Sequence, residues 1–367
     1  MTLEQLWHEV PGGTATSVLG LASGLAAHHP EIEVVGVSAK HDDPPASPFA
    51  APVPVKALPV PRRLLYLTWQ HFGWPDVESA TGPVDVTHAT TFAIPGTLAP
   101  MVVTVHDLAF LHEPDHFTRN GLRFFDRGVK RTLRLADLVV CPSESTAEDC
   151  RSIGLRDDRL RIVPWGVDPV EVHDGAVAEV TGRLGLDKPF VLVVGTVEPR
   201  KNLARTIEAF DRLGRTDLCL AMVGPAGWKE DVDALISEVT SDVRRLGFVD
   251  DADLPALYRG AEVFCSVSLR EGFGMPVLEA MTQGAAVVTT AGTSTAELVG
   301  DDGVLVDALE VSAIADGLTR ALEDAPALGA GARRRSERFS TEAAAAGYAA
   351  VYTEAMASEP RASRGSR

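Results

Sequence analysis

Cysteine is scarce. Cys141, Cys150, Cys219 and Cys265 are the only four in 367 residues. No two form a CxxC pair, and Cys219 and Cys265 fall inside apolar runs. That excludes a disulfide framework and a zinc site, and fits buried thiols in a reducing cytosol. Apolar runs of membrane-spanning length are also missing. The amino terminus lacks a basic segment followed by an apolar one, so no secretory signal is expected. The expected location is the cytoplasm, at most the inner face of the membrane. An excess of positive charge is missing as well. The net charge is −17, with −6 over the first 168 residues and −11 over the rest. Neither half has the field of a nucleic-acid binder, so any bound anion must be held by a local site. There is no full GxGxxG motif, which argues against a nicotinamide dehydrogenase.

What is present is an ordinary globular composition, 45% hydrophobic and 23% charged, in a chain long enough for two domains. Short apolar runs alternate with amphipathic stretches. Strands are expected at 32–37, 84–87, 101–105, 138–141 and 160–163, with helices near 14–28, 62–71, 118–135 and 144–152. Residues 41–61 hold seven prolines and read as an irregular loop. The polar stretch 169–188 reads as a linker. The rhythm then restarts, with strands at 190–195, 218–224, 243–249, 263–267, 286–290 and 303–306. Helices are expected near 202–213, 229–239, 252–260, 275–283 and 312–323. This cadence predicts α/β domains with parallel sheets covered by helices. The expected domains are 1–168 and 169–340. An Ala-rich helix at 341–357 should pack back on the first domain, and 358–367 has the composition of a disordered tail.

Five stretches carry candidate chemistry. Glu271-Gly-Phe-Gly-Met-Pro-Val-Leu-Glu279 follows a strand and opens a helix. Gly272 and Gly274 allow close approach to the backbone, and the helix start attracts an anion. A carboxylate on each side would repel a phosphate unless both accept hydrogen bonds from hydroxyls. A diphosphate flanked by two polyol rings fits that layout. Two helix-start acids favoured by the helix dipole are the plainer alternative. In Gly195-Thr-Val-Glu-Pro-Arg200-Lys201-Asn202, two cations sit where a strand passes into a helix, at the carboxyl edge where open α/β sheets bind ligands. Asn202 is a suitable helix N-cap. A solvated turn gives the same pattern.

Val10-Pro11-Gly12-Gly13-Thr14 allows a tight loop after a first strand, although a lone Gly-Gly is usually just a turn. His106-Asp107 ends the strand 101–105 at the carboxyl edge. His106 could donate to a sugar hydroxyl or a carbonyl oxygen, with Asp107 orienting it. Arg119, Arg123, Arg127, Lys130, Arg131 and Arg134 run along one helix, opposed only by Asp126. Such a helix can rest on anionic lipid, and a peripheral membrane contact through 118–134 is one expectation. A face paired with the protein's own carboxylates is the commoner outcome. Asp231–Asp233 and Asp251–Asp253 could hold Mg²⁺, but helix capping explains them better. No metal site is expected.

Together these segments resemble the retaining glycosyltransferases of family four, which have the GT-B fold of two Rossmann-like domains facing across a cleft. The stretch 270–281 is close to the family pattern, Glu271 and Glu279 matching its E-x7-E signature. Residues 195–202 are similar to its diphosphate loop. His106-Asp107 with Glu-Pro-Arg-Lys-Asn looks most like the bacterial mannosyltransferase-type members. Many members have Arg where this chain has Thr196, so Arg200 would supply the second cation beside Lys201. The resemblance implies that Glu279 binds the ribose and Glu271 the donated sugar. Arg200 and Lys201 would neutralise the leaving diphosphate. Backbone of Phe273, Gly274 and Met275 would touch phosphate or sugar, Phe248 and Val249 would lie at the base, and Gly13 would lie against the diphosphate. It further implies a nucleotide-sugar donor, GDP-mannose in the first instance, a glycan or lipid-linked acceptor, and no required metal or other cofactor. Phosphorylases, sugar-nucleotide hydrolases or epimerases and non-catalytic binding modules share these features. His106-Asp107 beside the paired glutamates favours catalysis.

Overall fold

The computed structural model describes residues 1–8, 12–46, 49–225, 227 and 232–357. The chain divides into two compact units. One is Met1–Gly166 plus the segment returning from Ser340, and the other is Val167–Phe339.

The first unit opens differently from the sequence expectation. Instead of a strand, Glu4–Trp7 form a 3-10 turn after a single bridge from Thr2 to Val37. The Glu4 carboxylate is buried and accepts from the Ala39 amide and from His41 Nε2. Gly12 and Gly13 begin helix α1 (Gly12–His28) rather than a loop before it. Val10 and Pro11 lie outside the described residues. Strands β1 (Gly36–Ser38) and β2 (Val55–Ala57) pair in parallel, so the proline-rich stretch does contain one short strand. Helices α2 (Arg62–His71) and α3 (Glu78–Thr81) follow. Strands β3 (Thr87–Ala89), β4 (Met101–Thr104), β5 (Leu138–Cys141) and β6 (Leu160–Ile162) form one parallel sheet in sequence order. Between them lie α4 (Ala109–His112), α5 (Arg119–Leu135) and α6 (Glu144–Ser152). The hydroxyls of Thr118 and Ser143 cap α5 and α6.

The six cations of α5 do not make one free stripe. Arg131 is buried, with Nη2 donating to the Ile94 carbonyl. Arg127 reaches Gln70, and Lys130 pairs with Asp126 one turn away. A membrane contact through 118–134 therefore has fewer free cations than the sequence spacing suggests.

The second unit begins with helix α7 (Ala176–Arg183), inside the stretch expected to be a linker. Its strands are β7 (Phe190–Val194), β8 (Cys219–Val223), β9 (Val243–Gly247), β10 (Val263–Ser266), β11 (Ala286–Thr290) and β12 (Val304–Val306). All pair in parallel, in the order β12-β11-β10-β7-β8-β9. Both faces are covered, so β7 and β8 read as continuous apolar runs, as buried parallel strands do. The helices are α8 (Leu203–Arg212), α9 (Val232–Ser237), α10 (Leu254–Gly260), α11 (Met275–Thr282), α12 (Ser294–Val299), α13 (Val311–Glu323) and α14 (Ala325–Ser336). Asp253 precedes α10 but does not cap it; its carboxylate takes Arg183. Asp233 pairs with Arg245, and Asp231 lies outside the described residues. The strand order reverses between β7 and β10, the topological switch point at which open α/β sheets bind ligands.

The chain then re-enters the first unit as α15 (Thr341–Met356). Tyr348, Val351, Tyr352 and Ala355 join Leu21 and Leu25 of α1, Val102 of β4 and Val140 of β5 in one core cluster. The tail 358–367 lies outside the described residues. Among the described residues no helix is long and apolar enough to cross a membrane.

Candidate active site

The β7–β10 switch point gathers the two strongest sequence motifs. After β7 the chain runs through Gly195 into a 3-10 turn, Pro199–Lys201, before α8 starts. Asn202 at that junction has φ +59°, the one non-glycine positive φ among the described residues. It does not cap α8 with its side chain. Instead the buried Nδ2 donates to the carbonyls of Val267 (3.2 Å) and Ala308 (2.7 Å), beyond the ends of β10 and β12. Leu269 N donates to Arg200 O (2.9 Å). These bonds tie the loop after β7 to the loop after β10. The left-handed Asn202 costs on the order of 1 kcal/mol, which the bonds offset.

The tie brings Glu271 against both cations. Lys201 Nζ lies 2.6 Å from Glu271 Oε1, and Arg200 Nη1 lies 2.7 Å from Oε2. Arg200 Nη1 also donates to Arg270 O, and its Nη2 donates to Glu198 at 2.6 Å. Burial would raise the Glu271 carboxyl, but Lys201 and Arg200 outweigh it, and the Ser268 hydroxyl adds a hydrogen bond. The result is a pKa lowered to about 2, so Glu271 is an anion throughout the physiological range. The cluster holds two cations and two carboxylates, Glu198 and Glu271.

Helix α11 starts at the same place. Gly274 precedes it with φ +102°, and a Cβ there would lie 2.5 Å from Thr295 Cγ2. Glycine is thus required twice over, by conformation and by space. Pro276 occupies the first turn, where its missing N–H costs nothing. The side chains of Phe273 and Met275 are buried, Phe273 edge-on to Phe339. Ser294 Oγ donates to Glu271 O and holds the turn.

Glu279, in the second turn of α11, is set apart electrically. Burial raises its carboxyl, Tyr258 Oη donates to it at 2.9 Å, and the charge of Asp251 pushes it further up. Two carboxylates on one motif thus have opposite shifts. Phe248 and Val249 follow edge strand β9, with Phe248 exposed and Val249 buried. No hydrogen bond among the described residues joins them to the Arg200 cluster.

His106, Asp107 and Gly13 belong to the first unit. His106 follows β4, half-buried, with Nε2 2.7 Å from Thr90 O. A carbonyl only accepts, so Nε2 carries the hydrogen. Nδ1 is then the lone-pair nitrogen, buried without a hydrogen-bond partner. Burial lowers the His106 pKa, against the raising effects of the Thr90 bond and Asp107, so the ring is neutral near pH 7. The ring donates to a backbone carbonyl oxygen within the first unit, and its remaining nitrogen is an acceptor enclosed by protein. Asp107 does not orient it by hydrogen bonding; its Oδ1 accepts from Ala109 N instead. The ring packs against Trp165. The α1 start leaves open space where a Cβ on Gly13 would sit.

Glu198, Ser268, Tyr258, Ser294 and Thr295 were not singled out from sequence as site residues. Glu198 stood inside a motif without a role. The others lie on separate segments that only the sheet order brings together.

Two family models match the chain, Glycosyltransferase Family 4 over residues 11–171 and Glycosyl transferases group 1 over residues 181–345. An O-antigen chain mannosyltransferase B of Escherichia coli is 32% identical over 247 residues, covering 65% of each chain. An MMP alpha-(1->4)-mannosyltransferase of Mycolicibacterium hassiacum is 29% identical over 239 residues, covering 62% of this chain and 56% of that protein. The matched stretches thus span less than two thirds of these relatives' own length. The structure of Anabaena HepE in complex with UDP and glucose superposes with a TM-score of 0.74 at 20% identity, covering 96% of this chain and 98% of that one. The fold is the GT-B type. With one model on each half, the chain belongs to glycosyltransferase family four.

Proposed function

We propose that this protein moves a hexose from a nucleoside-diphosphate sugar to a glycan or lipid-linked acceptor, with retention at the anomeric carbon. GDP-mannose is the donor expected first, since mannosyltransferases stand among its relatives. The setting would be cytoplasmic polysaccharide synthesis. The observation that carries the reading is the preorganised Arg200–Lys201–Glu271 cluster beside the α11 start, at the switch point of the second sheet.

Cleaving a sugar–diphosphate bond builds negative charge on the leaving group. Two fixed cations and a helix amino terminus lower that barrier without reorganising. Glu271, ionised at every working pH, accepts hydrogen bonds from hydroxyls of the donated sugar. Glu279 with Tyr258 takes the ribose. Retention without a protein nucleophile follows from front-face attack, the leaving phosphate oxygen taking the acceptor's proton. The cations supply the charge that a metal would otherwise bring.

The test is a thermal-shift panel of UDP-, GDP-, ADP- and dTDP-sugars, then donor hydrolysis with and without EDTA. GDP-mannose is expected to raise Tm, and its hydrolysis to survive EDTA. Stabilisation by inorganic phosphate alone, with no response to any nucleotide, would overturn the reading in favour of a phosphorylase.

A further inference from the structure

Two features of the first unit meet at His106. The first is a chain of hydrogen bonds that runs through the core from α15 to β4. Tyr352 Oη lies 2.8 Å from His88 Nδ1, and His88 Nε2 lies 2.8 Å from Thr104 Oγ1. Thr104 Oγ1 in turn lies 3.0 Å from Tyr348 Oη. All four side chains are buried. Burial holds His88 well below its ordinary pKa, so its ring is neutral and carries one N–H. The chain can therefore run in either direction. If His88 donates to Thr104, Thr104 donates to Tyr348 and the Tyr348 hydrogen is left for a further acceptor. If Thr104 donates to His88, Tyr348 donates to Thr104 and its oxygen is left for a further donor. In both cases Tyr348 Oη has hydrogen-bonding capacity to spare.

The second feature is a cavity of about 10 Å³, with room for one water and nothing larger. His106, Thr104, His88 and Tyr348 line it, with Ser17 of α1 and Trp165. All six belong to the first unit. His106 Nδ1 is a buried acceptor without a partner among the described residues, because Nε2 spends the ring's hydrogen on Thr90 O. Ser17 Oγ cannot serve it directly, since its hydrogen goes to Thr14 O. A buried nitrogen left without a donor is costly, and folded proteins meet such a need with an ordered water where a polar cavity adjoins it.

We propose that one water in this cavity joins His106 Nδ1 to Tyr348 Oη, and that Tyr348 is thereby a positioning residue for His106. The water gives one hydrogen to Nδ1 and shares its other bonds with Tyr348 Oη and Ser17 Oγ. Nδ1 is then kept as an acceptor, and Nε2 keeps the hydrogen that it gives to Thr90. The returning helix α15 thus holds the tautomer and the orientation of a histidine at the carboxyl edge of β4. The water and its bonds are independent of donor chemistry, whereas their effect on turnover rests on the proposed transfer reaction.

The experiment compares the full-length wild type with Tyr348→Phe, by nitrogen NMR of isotope-labelled histidine and by donor hydrolysis. Crystals of the wild type should show a water within hydrogen-bonding distance of Nδ1, and the Nδ1 signal should be that of a hydrogen-bonded acceptor. In Tyr348→Phe that signal should move toward the unbonded position. Its kcat should fall roughly tenfold, the worth of about one hydrogen bond, with donor KM within about twofold of wild type. A wild-type Nδ1 that carries the hydrogen or is unbonded, or a cavity without water, overturns the proposal even if the variant fails to fold. An unchanged Nδ1 signal in folded Tyr348→Phe also overturns it, as does a displaced signal with kcat equal to wild type. Wild-type protein that hydrolyses no donor overturns the transfer reading instead, and the NMR signals then decide the water link by themselves.

Discussion

Glu271 keeps its charge against burial because two cations touch it, and that makes it both a binding group and a stability group. Its folded-state pKa of about 2 lies below the ordinary carboxylate value. The stabilisation is therefore complete above the unfolded value near 4.5 and is lost as pH falls towards 2. The shift corresponds to about 3 kcal/mol. Glu271→Gln should lower Tm at pH 7, and the gap to wild type should narrow steadily in scans below pH 4.5. Turnover should drop at least a hundredfold, since the variant loses the sugar contact and disturbs both cations. A variant with unchanged Tm and normal turnover would remove Glu271 from the site. Glu279 behaves in the opposite sense. Its raised carboxyl protonates first on acidification, so donor KM should climb as pH falls while Glu271 stays ionised. Glu279→Gln should show high KM throughout and a flat profile. The motif showed both glutamates in the sequence; their opposite electrostatics came only with Arg200, Lys201 and Tyr258 placed around them.

Helix α11 depends on the one residue before it. Gly274→Ala would force a side chain into positive φ and against Thr295, at a cost of about 1–3 kcal/mol. Donor binding should weaken at least tenfold in the same variant, measured by titration with the nucleoside diphosphate; binding equal to wild type would detach the helix start from the phosphate. This element was legible because Gly, Pro and an apolar run mark it together. Others were less so. The apolar residues Ile32, Val34 and Val86 suggested strands a few positions early, but they pack into the core under α1 and α15 instead of joining a ladder. Helix α7 hid in a polar stretch because only Ala176 and Val180 turn inward. Helix α14 left no periodic signal, since its packing face includes Gly329, Gly331 and Ala332, and a Cβ on Gly329 would lie 2.1 Å from the Gly284 carbonyl. The first strand expected before Gly12-Gly13 is absent for another reason: the buried Glu4 carboxylate accepts from the Ala39 amide and pairs with His41, holding a turn there.

At the scale of the whole chain, a two-domain α/β plan was readable from cadence alone, whereas the order of strands was not, because periodicity carries no information on which strands pair. The path of the chain shows one thing more. The second unit leaves after Gly166 and is closed again before Ser340, and its first and last residues are hydrogen-bonded, Val167 N to Phe339 O at 2.9 Å. Its entry and exit are thus neighbours, in the manner of a cassette inserted into a host whose own fold is completed by α15. Residues 167–339 expressed alone should fold cooperatively and bind the nucleoside diphosphate within about tenfold of the full chain, while transferring no sugar. The first unit, rejoined from Gly166 to Ser340 by a few glycines, should likewise stay folded. Circular dichroism melts of the two pieces would check both, and a cassette that melts without cooperativity would refute the expectation. If the pieces hold, donor recognition could be exchanged between relatives by moving one uninterrupted stretch of gene.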